Sequence, residues 1–166
     1  MKKLFVTVGI ALLLTACAST TPDTESNVYA DITTGGWNES VNIGDLQPTS
    51  LTKAFKKTGN DVVYFTVNEY SLDATAKADL AAQAAWLKEN PNALIVIEGR
   101  CDERGTREYN LALGDRRANA ARSYLTTLGI APNRIKTISY GKDAPVAYGS
   151  NEEAWAKNRS ATTVAY

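Results

Sequence analysis

The sequence predicts an α+β domain of two layers, a four-stranded mixed sheet with helices packed on one face, in the order βαβαβ(α)β. Three observations carry this prediction. Runs rich in β-branched and aromatic residues recur four times after residue 60. Apolar residues at near-helical spacing fill the stretches between the first three of them. Two long helices and one short one are too few to cover both faces of such a sheet.

The elements follow in order. A short helix is expected over 51–57, after Pro48. Residues 62–67, VVYFTV, form a strand by β-propensity. Leu72, Ala76, Leu80, Ala84 and Leu87 recur at near-helical spacing and give a helix over 73–89, ended by Asn90-Pro91. Residues 93–98, ALIVIE, read as a buried strand. A second helix runs over 107–128, with Leu113, Ala118, Ala121, Leu125 and Leu128 inward and Gly129 past its end. Residues 134–140, RIKTISY, alternate as a strand, and 141–149 form a loop with Pro145. A short helix over 151–158 and a strand over 160–166 complete the order. Trp86 and Trp155 fall on helices, where packing rather than ligand stacking is expected.

The N-terminal third has a different character. Lys2 and Lys3 precede an apolar run over 4–14 broken only by Thr7 and Gly9. That run is too short to span a bilayer as a mature helix, and its apolar residues circle it completely; 1–16 therefore reads as a secretory signal. Leu14-Thr15-Ala16-Cys17 resembles a bacterial lipobox, in which small residues admit the peptidase before a cysteine that is then lipidated. Three acyl chains, each buried methylene worth about 0.8 kcal/mol, anchor stably where one chain does not. Ala18, rather than aspartate, follows the cysteine, and the resemblance then implies the outer membrane. Residues 17–50 are expected to form a lipidated N-terminus and flexible periplasmic tether, rich in Ser, Thr, Asn, Asp and Gly. Such a coil has an end-to-end distance of roughly 30 Å and stretches to about 100 Å. Val28, Tyr29, Ile32, Trp37 and Ile43 could equally dock on the domain or bind a partner.

Composition removes several functions. Lys and Arg number 18, as do Asp and Glu, and without Lys2 and Lys3 the net charge becomes −2. That is no footprint for nucleic acid. The absence of histidine excludes Ser-His-Asp and Cys-His catalysis and histidine metal sites. Two cysteines support neither a structural zinc site nor a disulfide framework. With Cys17 lipidated, Cys101 reads as a small, half-buried, unreactive residue, with an exposed reactive thiol as the alternative. No cofactor is expected beyond the covalent lipid at Cys17.

The chemistry concentrates in residues 98–118, EGRCDERGTREYNLALGDRRA. Asn110, Leu113 and Arg117 share one helix face at i, i+3 and i+7, with Arg117 roughly 10 Å along the axis from Asn110. Asp102 lies in the preceding loop and can fold over the first turns, Gly105 permits a tight backbone, and Thr106 suits either capping or binding. The set suits a zwitterion: Asp102 accepting from an ammonium, Arg117 forking onto a carboxylate, Asn110 bridging. The competing reading is an intrachain Asp102–Arg117 or Asp115–Arg116 surface pair worth under about 1 kcal/mol. Adjacent Asp102 and Glu103 cannot flank a substrate as paired catalytic carboxylates must, so no enzyme is expected.

The segments VVYFTVNEYSLD, WLKENPNALIVIEGRCDERGTREYNLALGDRRANAARSYL, ISYGKDAP and EEAWAKNRSATTVAY resemble the OmpA-like peptidoglycan-binding domain family, and most closely its lipoprotein branch. They cover nearly all of 62–166, within an expected domain over 51–166. The resemblance implies non-covalent binding of the peptide stem of peptidoglycan at its meso-diaminopimelate centre. Asp102 matches the family's acidic loop residue, Arg117 its helix arginine, Asn110 its asparagine and Leu113 the hydrophobic partner. Thr106 matches the loop threonine, Asn68 falls where the first strand meets the site, and Arg159 matches a late arginine. A further implied partner is the periplasmic β-propeller protein of the Tol system, competing with the wall, in support of envelope integrity and division. Service as a wall anchor in another envelope complex, for secretion or assembly, is the alternative. The chain departs from close relatives at Arg100, where they usually carry His, at Cys101, where they carry a small residue, and at Thr66 and Asn68, in a stretch often rich in Asp.

Overall fold

The structure, a computed structural model, describes Trp37, Asn42, Ile43 and residues 46–166. The expected signal, Cys17 and the tether up to residue 36 lie outside the described residues. Helix α1 (Ser50–Lys56) leads into strand β1 (Val62–Tyr64), helix α2 (Ala74–Glu89) and strand β2 (Ile95–Arg100). Helix α3 (Arg107–Thr127) follows, then a 3-10 turn (Pro132–Arg134), strand β3 (Ile135–Gly141), helix α4 (Glu152–Asn158) and strand β4 (Ser160–Ala165). The expected α+β class and element order are what form.

Local chemistry sets the helix starts. Asp73 caps α2 by accepting from the Ala76 N–H at 2.7 Å, and Asn151 caps α4 from Ala154 at 2.9 Å. Such caps contribute about 1 kcal/mol each. The sheet order is β1-β4-β2-β3. β4 runs antiparallel to both β1 and β2, while β2 and β3 are parallel and joined through α3. β1 and β2 therefore end at the same edge of the sheet, and β4 begins there.

Alternation along the strands separates the two faces. Val63, Ile95, Ile97, Ala161 and Ala165 join Leu80, Ala84 and Leu87 of α2 and Ala118, Ala121 and Leu125 of α3 in one core. Each fully buried large aliphatic contributes about 1.5–3 kcal/mol. Gln83 is also buried there, its amide bonding the Asn60 carbonyl at 2.6 Å while its oxygen meets the Thr163 hydroxyl at 2.8 Å. Trp86 packs edge-on against Phe55 with ring centroids 4.9 Å apart. Gly99 and Gly114 let α3 approach β2: a Cβ on Gly99 would sit 1.9 Å from the Gly114 carbonyl oxygen.

Trp37 packs at the other face. Its indole N–H bonds the Ile95 and Arg134 carbonyls at 3.2 and 3.1 Å, its ring meets Tyr166 edge-on at 6.2 Å, and Lys136 lies over it at 5.0 Å. Of the two fates left open for this residue, docking on the domain is the one observed.

β1 is shorter than the predicted 62–67. Phe65 still donates to the Arg159 carbonyl at 2.9 Å. The Thr66 carbonyl then accepts from Glu69 and from Arg117, and Asn68 adopts φ 62°, so the backbone turns out of the sheet. Asparagine tolerates that left-handed conformation better than most residues.

Candidate functional site

Because β1 and β2 finish together where β4 begins, three connections converge: the segment after β1, the loop from β2 to α3, and Arg159 before β4. The first two, with the start of α3, enclose a pocket of about 170 Å³ lined by Val67 and Asn68, by the loop residues Cys101, Asp102, Arg104 and Gly105, and by Tyr109, Asn110, Leu113 and Arg117 of α3. Five of the seven expected site residues line it: Asn68, Asp102, Asn110, Leu113 and Arg117. Gly105, at φ +88°, makes the turn that starts α3, as its placement before the helix suggested.

Thr106 and Arg159 stand outside this lining and hold it. The Thr106 hydroxyl caps α3 by accepting from the Tyr109 N–H at 3.2 Å, so capping is its observed role. Its carbonyl, with that of Arg104, accepts from the Asn110 amide at 3.0 and 2.8 Å. Arg159 is buried; its Nε donates to the Phe65 carbonyl at 3.1 Å and its two terminal nitrogens reach Glu152 at 2.6 Å and Asp102 at 3.5 Å.

Arg117 is the most deeply committed cation, 1% exposed. Its Nε donates to the Glu69 carbonyl at 2.9 Å, one terminal nitrogen to the Arg100 carbonyl at 2.8 Å and the Cys101 sulfur at 3.5 Å, and the other to the Thr66 carbonyl at 3.1 Å. A guanidinium has five N–H groups. Four are thus directed into the protein and one is left over, in place of the open fork expected from sequence. The reason is geometric: Arg117 ties the turned-out segment after β1 to the end of β2. Burial pulls its pKa below the ordinary arginine value, with the neighbouring Cys101 and Asp102 opposing that shift.

Asp102 does not pair with Arg117. Its Oδ1 accepts from the Arg104 backbone N–H at 3.2 Å and Nε at 3.1 Å, and its Oδ2 from the Arg104 terminal nitrogen at 2.7 Å and from Arg159 at 3.5 Å. Burial alone would raise the Asp102 pKa, but the Arg104 and Arg159 hydrogen bonds outweigh it and hold the carboxyl below its ordinary value. Arg104 in turn lies 4.2 Å over the Trp155 ring, and the Trp155 indole N–H donates to Glu103 at 3.1 Å. Trp155 therefore packs at the rim of the site, not in the core.

Arg100 points away from the pocket, bonding Glu98 at 2.6 Å and the Ala144 carbonyl at 3.0 Å above Tyr140. Cys101 is buried, donates to the Asn110 carbonyl at 3.3 Å, and has its pKa raised by desolvation. Among the described residues no group of three or more His, Cys, Asp and Glu is placed to hold a metal ion. No helix among them is long and apolar enough to cross a membrane.

The OmpA family model matches residues 64–159, which include the whole pocket. The peptidoglycan-associated lipoprotein of Agrobacterium fabrum is 40% identical over 159 residues, covering 96% of this chain and 85% of that protein. The chain belongs to the OmpA family, among the peptidoglycan-associated lipoproteins. The Rhizobium meliloti peptidoglycan-associated lipoprotein is 53% identical over 104 residues; the match spans 63% of this chain and 59% of that relative's length. The crystal structure of the peptidoglycan-associated lipoprotein from Burkholderia pseudomallei superposes with a TM-score of 0.62 at 44% identity, covering 64% of this chain and 90% of that one. Within this OmpA-family fold, sequence reasoning missed Arg104, Trp155, Val67 and Tyr109. Arg104 carried a usable signal, an arginine two residues after an aspartate and next to a glycine. Trp155 did not, since its partner Arg104 is far away in the chain.

Proposed function

We propose that this protein is an outer-membrane lipoprotein that binds peptidoglycan non-covalently through the meso-diaminopimelate of the peptide stem and so ties membrane to wall. In this reading 1–16 is removed, Cys17 carries the lipid, 17–50 is the periplasmic tether and 51–166 is the binding domain. The pocket at the start of α3 carries the proposal, because it gathers a carboxylate, an amide and a buried guanidinium over an apolar wall. Asp102 takes the ligand ammonium and Arg117 offers its charge and remaining N–H to the carboxylate. Asn110 presents its amide oxygen, Leu113 and Val67 pack on the methylenes, and Asn68 closes the rim. Thr106 and Arg159 position these groups.

Charge-assisted hydrogen bonds contribute about 1.5–3 kcal/mol each, so two or three give modest affinity. A lipid-anchored leash compensates by raising local concentration at the wall. The groups described do the work of binding, not of catalysis. The family resemblance supports a second partner, the β-propeller protein of the Tol system, competing for the same surface. Titration with stem peptides tests the ligand assignment. A diaminopimelate peptide binds, and the same peptide with lysine in its place binds at least ten-fold more weakly, since it lacks the second carboxylate. Equal affinities would contradict the role given to Arg117.

A further inference from the structure

The pocket is already occupied by a cation of its own. A carboxylate has about four lone-pair positions. Asp102 has four donors directed at it, three from Arg104 and one from Arg159. An incoming ammonium finds a vacancy on Asp102 only if one donor leaves. Arg159 is 8% exposed at its side chain and is held by the Phe65 carbonyl and Glu152. Arg104 differs in every respect. Its side chain is 42% exposed and hydrogen-bonds only Asp102 among the described residues. Its remaining hold is the Trp155 ring beneath it.

We propose that the Arg104 side chain is an internal competitor that covers Asp102 in the empty protein and swings off it when a ligand ammonium binds. The inference rests on the zwitterion reading of the pocket and adds how that pocket is gated. It also adds a specificity consequence. A ligand gains entry only with a cationic amine able to replace a guanidinium, and an N-acylated or neutral analogue leaves Arg104 in place. Trp155 lies under the Arg104 guanidinium while it covers Asp102, so the Trp155 environment reports its departure. Because Arg104 is half-exposed, its release costs what an exposed ion pair is worth, which sets the size of the effect at about two- to five-fold.

The test compares the full chain with Arg104→Ala and Asp102→Asn, titrated with a muropeptide carrying free meso-diaminopimelate. Calorimetry reads affinity, and the part of the tryptophan emission that Trp155→Phe removes reads Trp155, as distinct from Trp37 and Trp86. Arg104→Ala is expected to bind about two- to five-fold more tightly. It should also lose the ligand-induced emission change that the natural protein shows. Equal or weaker binding by Arg104→Ala, with the natural protein binding and Asp102→Asn not, would overturn the competitor role while leaving the site intact. Binding by none of the three, or undiminished binding by Asp102→Asn, would overturn the pocket assignment and the gate with it.

Discussion

Replacing Arg117 separates the fold from the site. Arg117→Ala removes the donor to three backbone carbonyls, those of Thr66 and Glu69 after β1 and of Arg100 at the end of β2. Bonds from a charged donor are worth about 1.5–3 kcal/mol each, but water entering the pocket recovers part of that for the freed carbonyls. Three such bonds, less the part that water recovers, make about 3–5 kcal/mol the expectation here. It is a large share of a domain stability of about 5–15 kcal/mol. Urea unfolding followed by circular dichroism measures it, with the slope checked for two-state behaviour. Arg117→Lys keeps the charge with fewer reachable carbonyls and should fall between the two. An Arg117→Ala protein within about 1 kcal/mol of the natural one would show that the guanidinium does not tie the pocket together. Loss of ligand binding in Arg117→Ala therefore counts as evidence about the site only once folding has been measured.

Two further outcomes follow from the same geometry. Gly99→Ala should destabilise by about 3 kcal/mol or more through overpacking, because the new methyl would overlap the Gly114 carbonyl; a thermal melt unchanged within error would refute the close helix–strand approach. Asp102 has a depressed folded pKa, so its stabilisation is complete above the unfolded value near pH 4 and is lost as pH falls through the lower folded value. Asp102→Asn should then lose less stability than the natural protein on acidification below about pH 4, read as urea midpoints against pH, and parallel curves would contradict the Asp102 ion pairs.

The fold was legible because its signals are local. Periodicity placed α2 and α3 within a residue or two, and Thr106 suited the cap it makes at the start of α3. β1 was overextended because what ends it is remote: Thr66 is turned out by Arg117, 51 residues later. Nothing in the local sequence marks Gln83 as buried; the placement of Asn60 and Thr163 shows why it is. The site was half legible for the same reason. Spacing put Asn110, Leu113 and Arg117 on one face, and the pocket contains all three. Spacing could not show that backbone carbonyls would occupy most of Arg117, nor that Arg104 would cover Asp102.

In the proposed function Asp102 is the ammonium acceptor of a wall-binding pocket. Co-sedimentation with purified diaminopimelate-type sacculi tests it most directly, comparing the natural protein with Asp102→Asn, whose shape is retained. The natural protein should pellet with the sacculi and Asp102→Asn, shown folded by circular dichroism, should stay in the supernatant. Pelleting of both to the same extent would contradict the claim.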